Sequence, residues 1–124
     1  KFREYFRPFA PAILKNYAEE YFSIKQESPH MLIACQVNEN KRDVIPAVVH
    51  VDGSCRVQTV GPENKNDFYN LLLAFNQITS IPVLLNTSFN VKGQPIVQTP
   101  EQAINTFKST NIDCLVIGKF IAIK

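Results

Sequence analysis

Residues 81–107 read IPVLLNTSFNVKGQPIVQTPEQAINTF, and three kinds of chain follow one another in that stretch. The apolar run at 82–85 is short, bounded by polar residues and suited to a buried strand. Asn86, Thr87, Ser88 and Asn90 then crowd together before a Gly-Gln-Pro turn. Thr99 is placed to cap a helix, Pro100 fits its first position, and Gln102 completes a capping box. Strand, polar turn and capped helix in such short order predict an α/β (α+β) chain. The short polar side chains after the strand have two readings. They can satisfy backbone groups as ordinary turn chemistry. Alternatively, Ser88, Asn90 and Gly93 present a hydroxyl, an amide and bare backbone N–H groups toward one point, as an anionic oxygen requires. Donors alone do not neutralise a phosphate, so the second reading needs cations from elsewhere in the chain.

Working outward, residues 12–22 place Ile13, Leu14, Tyr17, Ala18, Tyr21 and Phe22 on one face of an amphipathic helix, with Pro11 suited to its first turn. Residues 31–37 read as a strand. The polar segment NENKRD, 38–43, reads as an exposed loop with solvated charges. Residues 47–60 predict two strands joined around Asp52-Gly53, because both residues tolerate positive φ. Residues 66–78 carry Phe68, Leu71, Leu72, Phe75 and Ile78 at helical spacing. Cys114–Ile117 and Phe120–Ile123 close the chain as strands around Gly118. Hairpins interleaved with helices predict a mixed, twisted sheet with helices packed on it.

The 124 residues suit one domain, residues 1–124, and an apolar fraction of 45% suffices for a core. Thirteen basic against eleven acidic residues leave a formal charge of +2, which gives no reason to expect a nucleic-acid or membrane partner. Cys35, Cys55 and Cys114 are odd in number and widely spaced, and they read as reduced thiols rather than a zinc site or disulfide framework. No apolar run approaches the roughly 20 residues of a membrane helix and no signal peptide is visible, so the expectation is a soluble, cytoplasmic protein. Lys1 in place of Met, running directly into FREYFRPFA, reads as a piece cut from a longer polypeptide.

Cations for the Ser88 turn are available. Lys1, Arg3 and Arg7 crowd the first residues with Glu4 as local compensation. Arg7 lies among Phe6, Pro8 and Phe9, where an unpaired charge is costly. Arg56 falls in a predicted strand on the same face as Ser54 and Gln58. Guanidinium forks match phosphate or carboxylate oxygens, and a lysine adds a point charge. His50 is a general base, a ligand or, as for most lone histidines on strands, a structural residue; Asp52 forms the turn. A two-residue loop at Asp52-Gly53 sets His50 opposite Cys55, a conceivable Cys–His dyad that no third group orients. Ser88 has no evident base. The pattern is that of a site that binds and polarises anions.

The Lys1–Arg3 and Ser88–Asn90 triplets together resemble the KxR…SxN signature of YrdC-like threonylcarbamoyl-adenylate synthases. A fuller likeness is carried by FRPFAPAIL, HVDGSCRVQTV, NTSFNVKGQPIVQTPEQAINTF and DCLVIGKF. In order and over nearly the whole chain, they resemble the carboxy-terminal, YrdC-like domain of the nodulation- and antibiotic-type O-carbamoyltransferases. The resemblance implies a YrdC-like fold that takes carbamoyl phosphate and ATP, with Mg²⁺ on the nucleotide, and forms carbamoyl-adenylate. It also implies an actin/hexokinase-like amino-terminal domain in the same polypeptide, holding iron or another divalent metal and passing the carbamoyl group to a hydroxyl of a small molecule. Lys1, Arg3, Arg7, Arg56 and Ser88 fall on motif positions that would hold carbamoyl phosphate or nucleotide phosphates. Asn86 and Asn90 would line the same pocket, with Gly93 in its turn. The family's pattern has an upstream Gly-Pro-Arg segment that these residues do not include, so the expectation is a folded but catalytically weak fragment whose uncovered face promotes a homodimer. Ser54 and Cys55 stand where the pattern has Thr and Ala. Two rivals are a threonylcarbamoyl-adenylate synthase-like domain of tRNA modification, to whose pattern RPFAP and HVDG do not belong, and a non-catalytic anion- or RNA-binding module.

Overall fold

The computed structural model describes residues 8–64 and 67–124. They form two compact units, divided between Thr87 and Ser88.

The first unit is organised by β1, Ala10–Leu14. Pro11 through Leu14 are all buried. Two strands flank it, β4 (Gln58–Val60) running parallel and β5 (Val83–Asn86) antiparallel, giving a mixed three-stranded sheet in the order β4-β1-β5. The helix expected over residues 12–22 is therefore a strand for its first third. Only Lys15–Tyr17 and the four-residue α1, Ala18–Tyr21, are helical. A strand covered on both faces carries apolar residues at consecutive positions, and that run is read equally well at helical spacing. Ile13 joins a cluster with Tyr21, Phe22, Val37, Val48 and Val57, whereas Ala12 and Leu14 meet Val60 and Leu72. Leu72 belongs to α2, Asp67–Thr79, close to the predicted span, which packs on β1 and β5. Leu71 and Ile78, placed at helical spacing with Leu72, are 56% and 84% exposed.

Pro11 is tolerated in this central strand for a geometric reason. Leu14 N donates to Pro82 O, so alternation turns Ala12 and Ala10 toward β5 and Pro11 toward β4. Pairing with β4 begins only at Ala12, so the missing N–H of Pro11 falls outside the ladder.

A second sheet pairs β2 (Ala34–Gln36) with β3 (Ser54–Arg56) in antiparallel register. The turn at Asp52-Gly53 forms, with Gly53 N donating to His50 O and Gly53 at φ +81°. The strand expected before it does not form: Pro46–Val48 is a 3-10 turn, and β3 pairs with β2 instead. Segment 38–43 is also more than a solvated loop. Lys41 Nζ lies 2.5 Å from Glu20 Oε1 and stands over the Tyr21 ring, while Arg42 Nε donates to Val37 O. A side chain at Gly53 would meet the far end of the Arg42 side chain at 2.6 Å, which can move aside, so it is the positive φ that favours glycine there.

The second unit, Ser88–Lys124, has its own core of Ala103, Phe107 and Leu115, with Phe89, Val97 and Ile112 against it. Helix α3, Pro100–Ser109, begins as predicted: Thr99 Oγ1 accepts from Gln102 N. Gln102 Oε1 accepts from Gln98 N, one residue earlier than in a strict capping box. The closing hairpin joins β6 (Cys114–Ile117) to β7 (Phe120–Ile123) through Gly118, at φ +56°.

Replacing Ile13 with Ala should cost about 2–5 kcal/mol in urea denaturation, because its site is sealed between strands and cannot collapse. Leu85→Ala, on the same sheet but half exposed, should change stability by about 0.5 kcal/mol or less, so equal losses at the two positions would contradict the assigned burial. Thr99→Ala should remove about 1 kcal/mol from the second unit, read by hydrogen exchange of α3 amides.

Candidate functional site

Arg56 ends β3 and is exposed, and it makes no ion pair or hydrogen bond among the described residues. Its strand continues through Val57, fully buried, into β4. Ser54, Arg56 and Gln58 thus share the outer face, while Cys55, Val57 and Thr59 point into the protein. The expectation of one shared face for these three side chains holds.

Gln58 then does something that sequence reasoning did not assign to it. Its Oε1 accepts from Asn86 Nδ2 at 2.5 Å, and its Nε2 donates to Pro29 O at 3.1 Å. The pairing of β1 explains the meeting. Ala12 stands beside Gln58 and Ala10 beside Asn86, so the two amides reach one another across the start of the central strand. Asn86, half-buried at the end of β5, is fixed in orientation by that bond. The signal available in the sequence was Gln58's place two residues beyond Arg56; its partner was set by the register of a strand read as a helix.

The Ser88 turn lies in the second unit. Ser88 Oγ donates to Asn90 Oδ1 at 2.9 Å, and Asn90 Nδ2 donates to Gln94 O at 2.9 Å. Val97 N closes the loop on Phe89 O at 2.9 Å. Gly93 has φ +83° with nothing within 4 Å of a hypothetical Cβ, so its role is conformational. These bonds are turn chemistry, and they also set the Ser88 hydroxyl and the Asn90 amide side by side on one rigid loop. Ser88 is exposed and Asn90 half-buried. The bonds present are those of the turn-chemistry reading: the loop holds itself in shape with its own polar groups.

Lys1, Arg3 and Arg7 lie outside the described residues. Asp52 is a turn residue: its Oδ1 accepts from the Ser54 hydroxyl at 2.7 Å and from Ser54 N at 3.0 Å. Those two bonds, with His50 nearby, hold its carboxyl below the usual carboxylate range. The dyad geometry is not present. His50 N donates to Ser54 O, which sets His50 against Ser54, and the residue opposite Cys55 is Cys35. The cause is the turn, which spans residues 50–53 rather than two residues. Among the described residues, no three His, Cys, Asp or Glu side chains gather as a metal site, and no helix is long and apolar enough to cross a membrane.

Comparison with known proteins gives the chemistry a context. The chain is 42% identical to nodulation protein NolO of Bradyrhizobium diazoefficiens, over all of this chain and 23% of that protein. It is 42% identical to NolNO of Sinorhizobium fredii, over 98% of this chain and 18% of that one. With nodulation protein U of Rhizobium tropici, the identity is 44% over 76% of this chain and 16% of that protein. The chain thus spans a quarter or less of the length of these curated relatives. A family model described as "Carbamoyltransferase C-terminus" matches residues 1–124. Residues 1–124 belong to the carbamoyltransferase carboxy-terminal family.

Proposed function

We propose that the protein carrying these residues is an O-carbamoyltransferase, and that this part of it binds carbamoyl phosphate and ATP and makes carbamoyl-adenylate. The observation that carries the reading is the family match over the whole chain. The local chemistry supports it. Once water has displaced phosphate from carbamoyl phosphate, an oxygen of the resulting carbamate attacks the α-phosphorus of ATP and pyrophosphate departs. Both reactants are anions, so their repulsion has to be cancelled before alignment counts, and fixed cations and donors contribute several kcal/mol there. Arg56 would supply a fork for phosphate oxygens and Ser88 a hydroxyl donor on turning its hydrogen from Asn90 Oδ1 to the anion, with Asn86 and Asn90 orienting the carbamoyl group through their amides. Lys1, Arg3 and Arg7 would complete the positive charge, with Gly93 keeping the loop in shape. Mg²⁺ would arrive on the nucleotide as part of the substrate.

Gln58 enters this reading as a positioning residue. Holding the Asn86 amide by its nitrogen leaves the Asn86 Oδ1 available to accept from a carbamoyl NH₂. The carbamoyl group would then pass to a hydroxyl of a small-molecule acceptor held by an actin/hexokinase-like domain of the same polypeptide, where iron or another divalent metal would reside. The homodimer and a cytoplasmic setting belong to the same proposal. Residues 1–124 alone would turn over weakly, because acceptor binding lies with the rest of the protein.

In the intact protein, Arg56→Ala should raise the KM for carbamoyl phosphate by about 10- to 100-fold, the equivalent of about 1.5–3 kcal/mol for a charge-assisted bond, with Arg56→Lys in between. Pyrophosphate release dependent on both carbamoyl phosphate and ATP is the assay, and unchanged kinetics in Arg56→Ala would remove that residue from the site. Carbamoyl phosphate at about a hundredfold its Kd should stabilise the protein by about 2.7 kcal/mol in thermal unfolding. Protection by threonine and not by carbamoyl phosphate would transfer the chain to the threonylcarbamoyl-adenylate chemistry.

A further inference from the structure

Cys35 and Cys55 stand directly opposite one another in the β2–β3 pairing, with their sulfurs 3.8 Å apart. Residues opposed in an antiparallel pair have Cα atoms about 4.5–5.5 Å apart, within the span that a disulfide bridges without backbone movement. Both side chains are buried, Cys35 at 9% exposure and Cys55 at 1%, and both face the same apolar cluster. Neither takes part in the anion chemistry. The strands that hold them are three residues each. The third cysteine, Cys114, is exposed and belongs to the other unit.

We propose that Cys35 and Cys55 are a redox-active pair that closes to a cross-strand disulfide when the protein meets a peroxide. The step balances as two thiols and one hydrogen peroxide giving one disulfide and two waters. The Cys35 sulfur, the more accessible of the two, attacks a peroxide oxygen and becomes a sulfenic acid as the first water leaves. The Cys55 sulfur then attacks the Cys35 sulfur, loses its proton, and expels the hydroxyl as the second water.

The roles differ because the environments differ. The sulfur–sulfur contact with Cys55 lowers the Cys35 thiol below its ordinary value against the opposing effect of burial, with the Val57 backbone N–H adding to the lowering. The same contact, with burial, pushes the Cys55 thiol up. Cys35 is thereby the group poised to react and Cys55 the resolving thiol. Opening of such short strands admits the oxidant without global unfolding. Closure would tie β2 to β3 at the residue before Arg56.

The test is mass mapping of the intact, folded protein after hydrogen peroxide, with remaining thiols alkylated and digestion carried out without reductant. The expected product is a peptide containing Cys35 joined to one containing Cys55 within a single chain, two hydrogens lighter than the sum, reversed by dithiothreitol, with the same link in Cys114→Ser. Dimedone should label Cys35 in Cys55→Ser. Recovery of both pair thiols as alkylated forms while Cys114 is oxidised overturns the proposal. So does a link that appears only between chains or only in urea, or dimedone on Cys55 of Cys35→Ser in place of Cys35. Because wild-type protein supplies the decisive readout, a variant that fails to fold does not shield the idea. Loss of carbamoyl-phosphate turnover bears on the proposed function alone and leaves this inference standing.

Discussion

Burial of β1 on both faces is the constraint from which the first unit follows. A strand with apolar side chains above and below has to be covered twice, and the chain supplies two different covers. On one side lie Phe22, Val37, Val48 and Val57, from loops and short strands; on the other lies Leu72 of α2. Its backbone has to be satisfied twice as well, because a buried N–H or C=O without a partner costs a full desolvation penalty. Parallel β4 and antiparallel β5 meet that need, and the mixed sheet follows.

That same pairing creates the polar feature of the first unit. Two strands on either side of β1 are too far apart to bond through their backbones, yet near its start Gln58 and Asn86 are long enough to meet across it. Arg56 sits one side-chain alternation before Gln58, so a charge and an oriented amide lie along one strand face. In the second unit, Ser88, Asn90 and Gln94 bond to one another and fix a loop around a left-handed Gly93. In both places bonds to neighbours fix the orientation of polar side chains.

Local signals were read correctly where the decisive energy was local. Thr99, Pro100 and Gln102 act within one helical turn; Asp52-Gly53 and Gly118 make turns through their own backbone preferences. Lys41 and Arg42 were misread because a charged side chain looks solvated until its partner is known, and the partners Glu20, Tyr21 and the Val37 carbonyl are distant in sequence or face. Residues 12–14, expected to open a helix, are strand because periodicity cannot tell a doubly buried strand from a helix face. Leu71 and Ile78 keep the helical spacing of α2 and are exposed, so spacing gives the helix and not the burial of each of its apolar residues.

The sequence by itself determined the α/β class, the capped helix, the turns, the closing hairpin, and the motifs that identify the family, because each is written in neighbouring residues. Tertiary structure alone decided that β1 is a strand, that β3 pairs with β2, that Gln58 holds Asn86, and that Cys35 faces Cys55. Those outcomes depend on which distant segments share a ladder, and strand register is fixed by the sum of burial on both faces rather than by any residue's own preference.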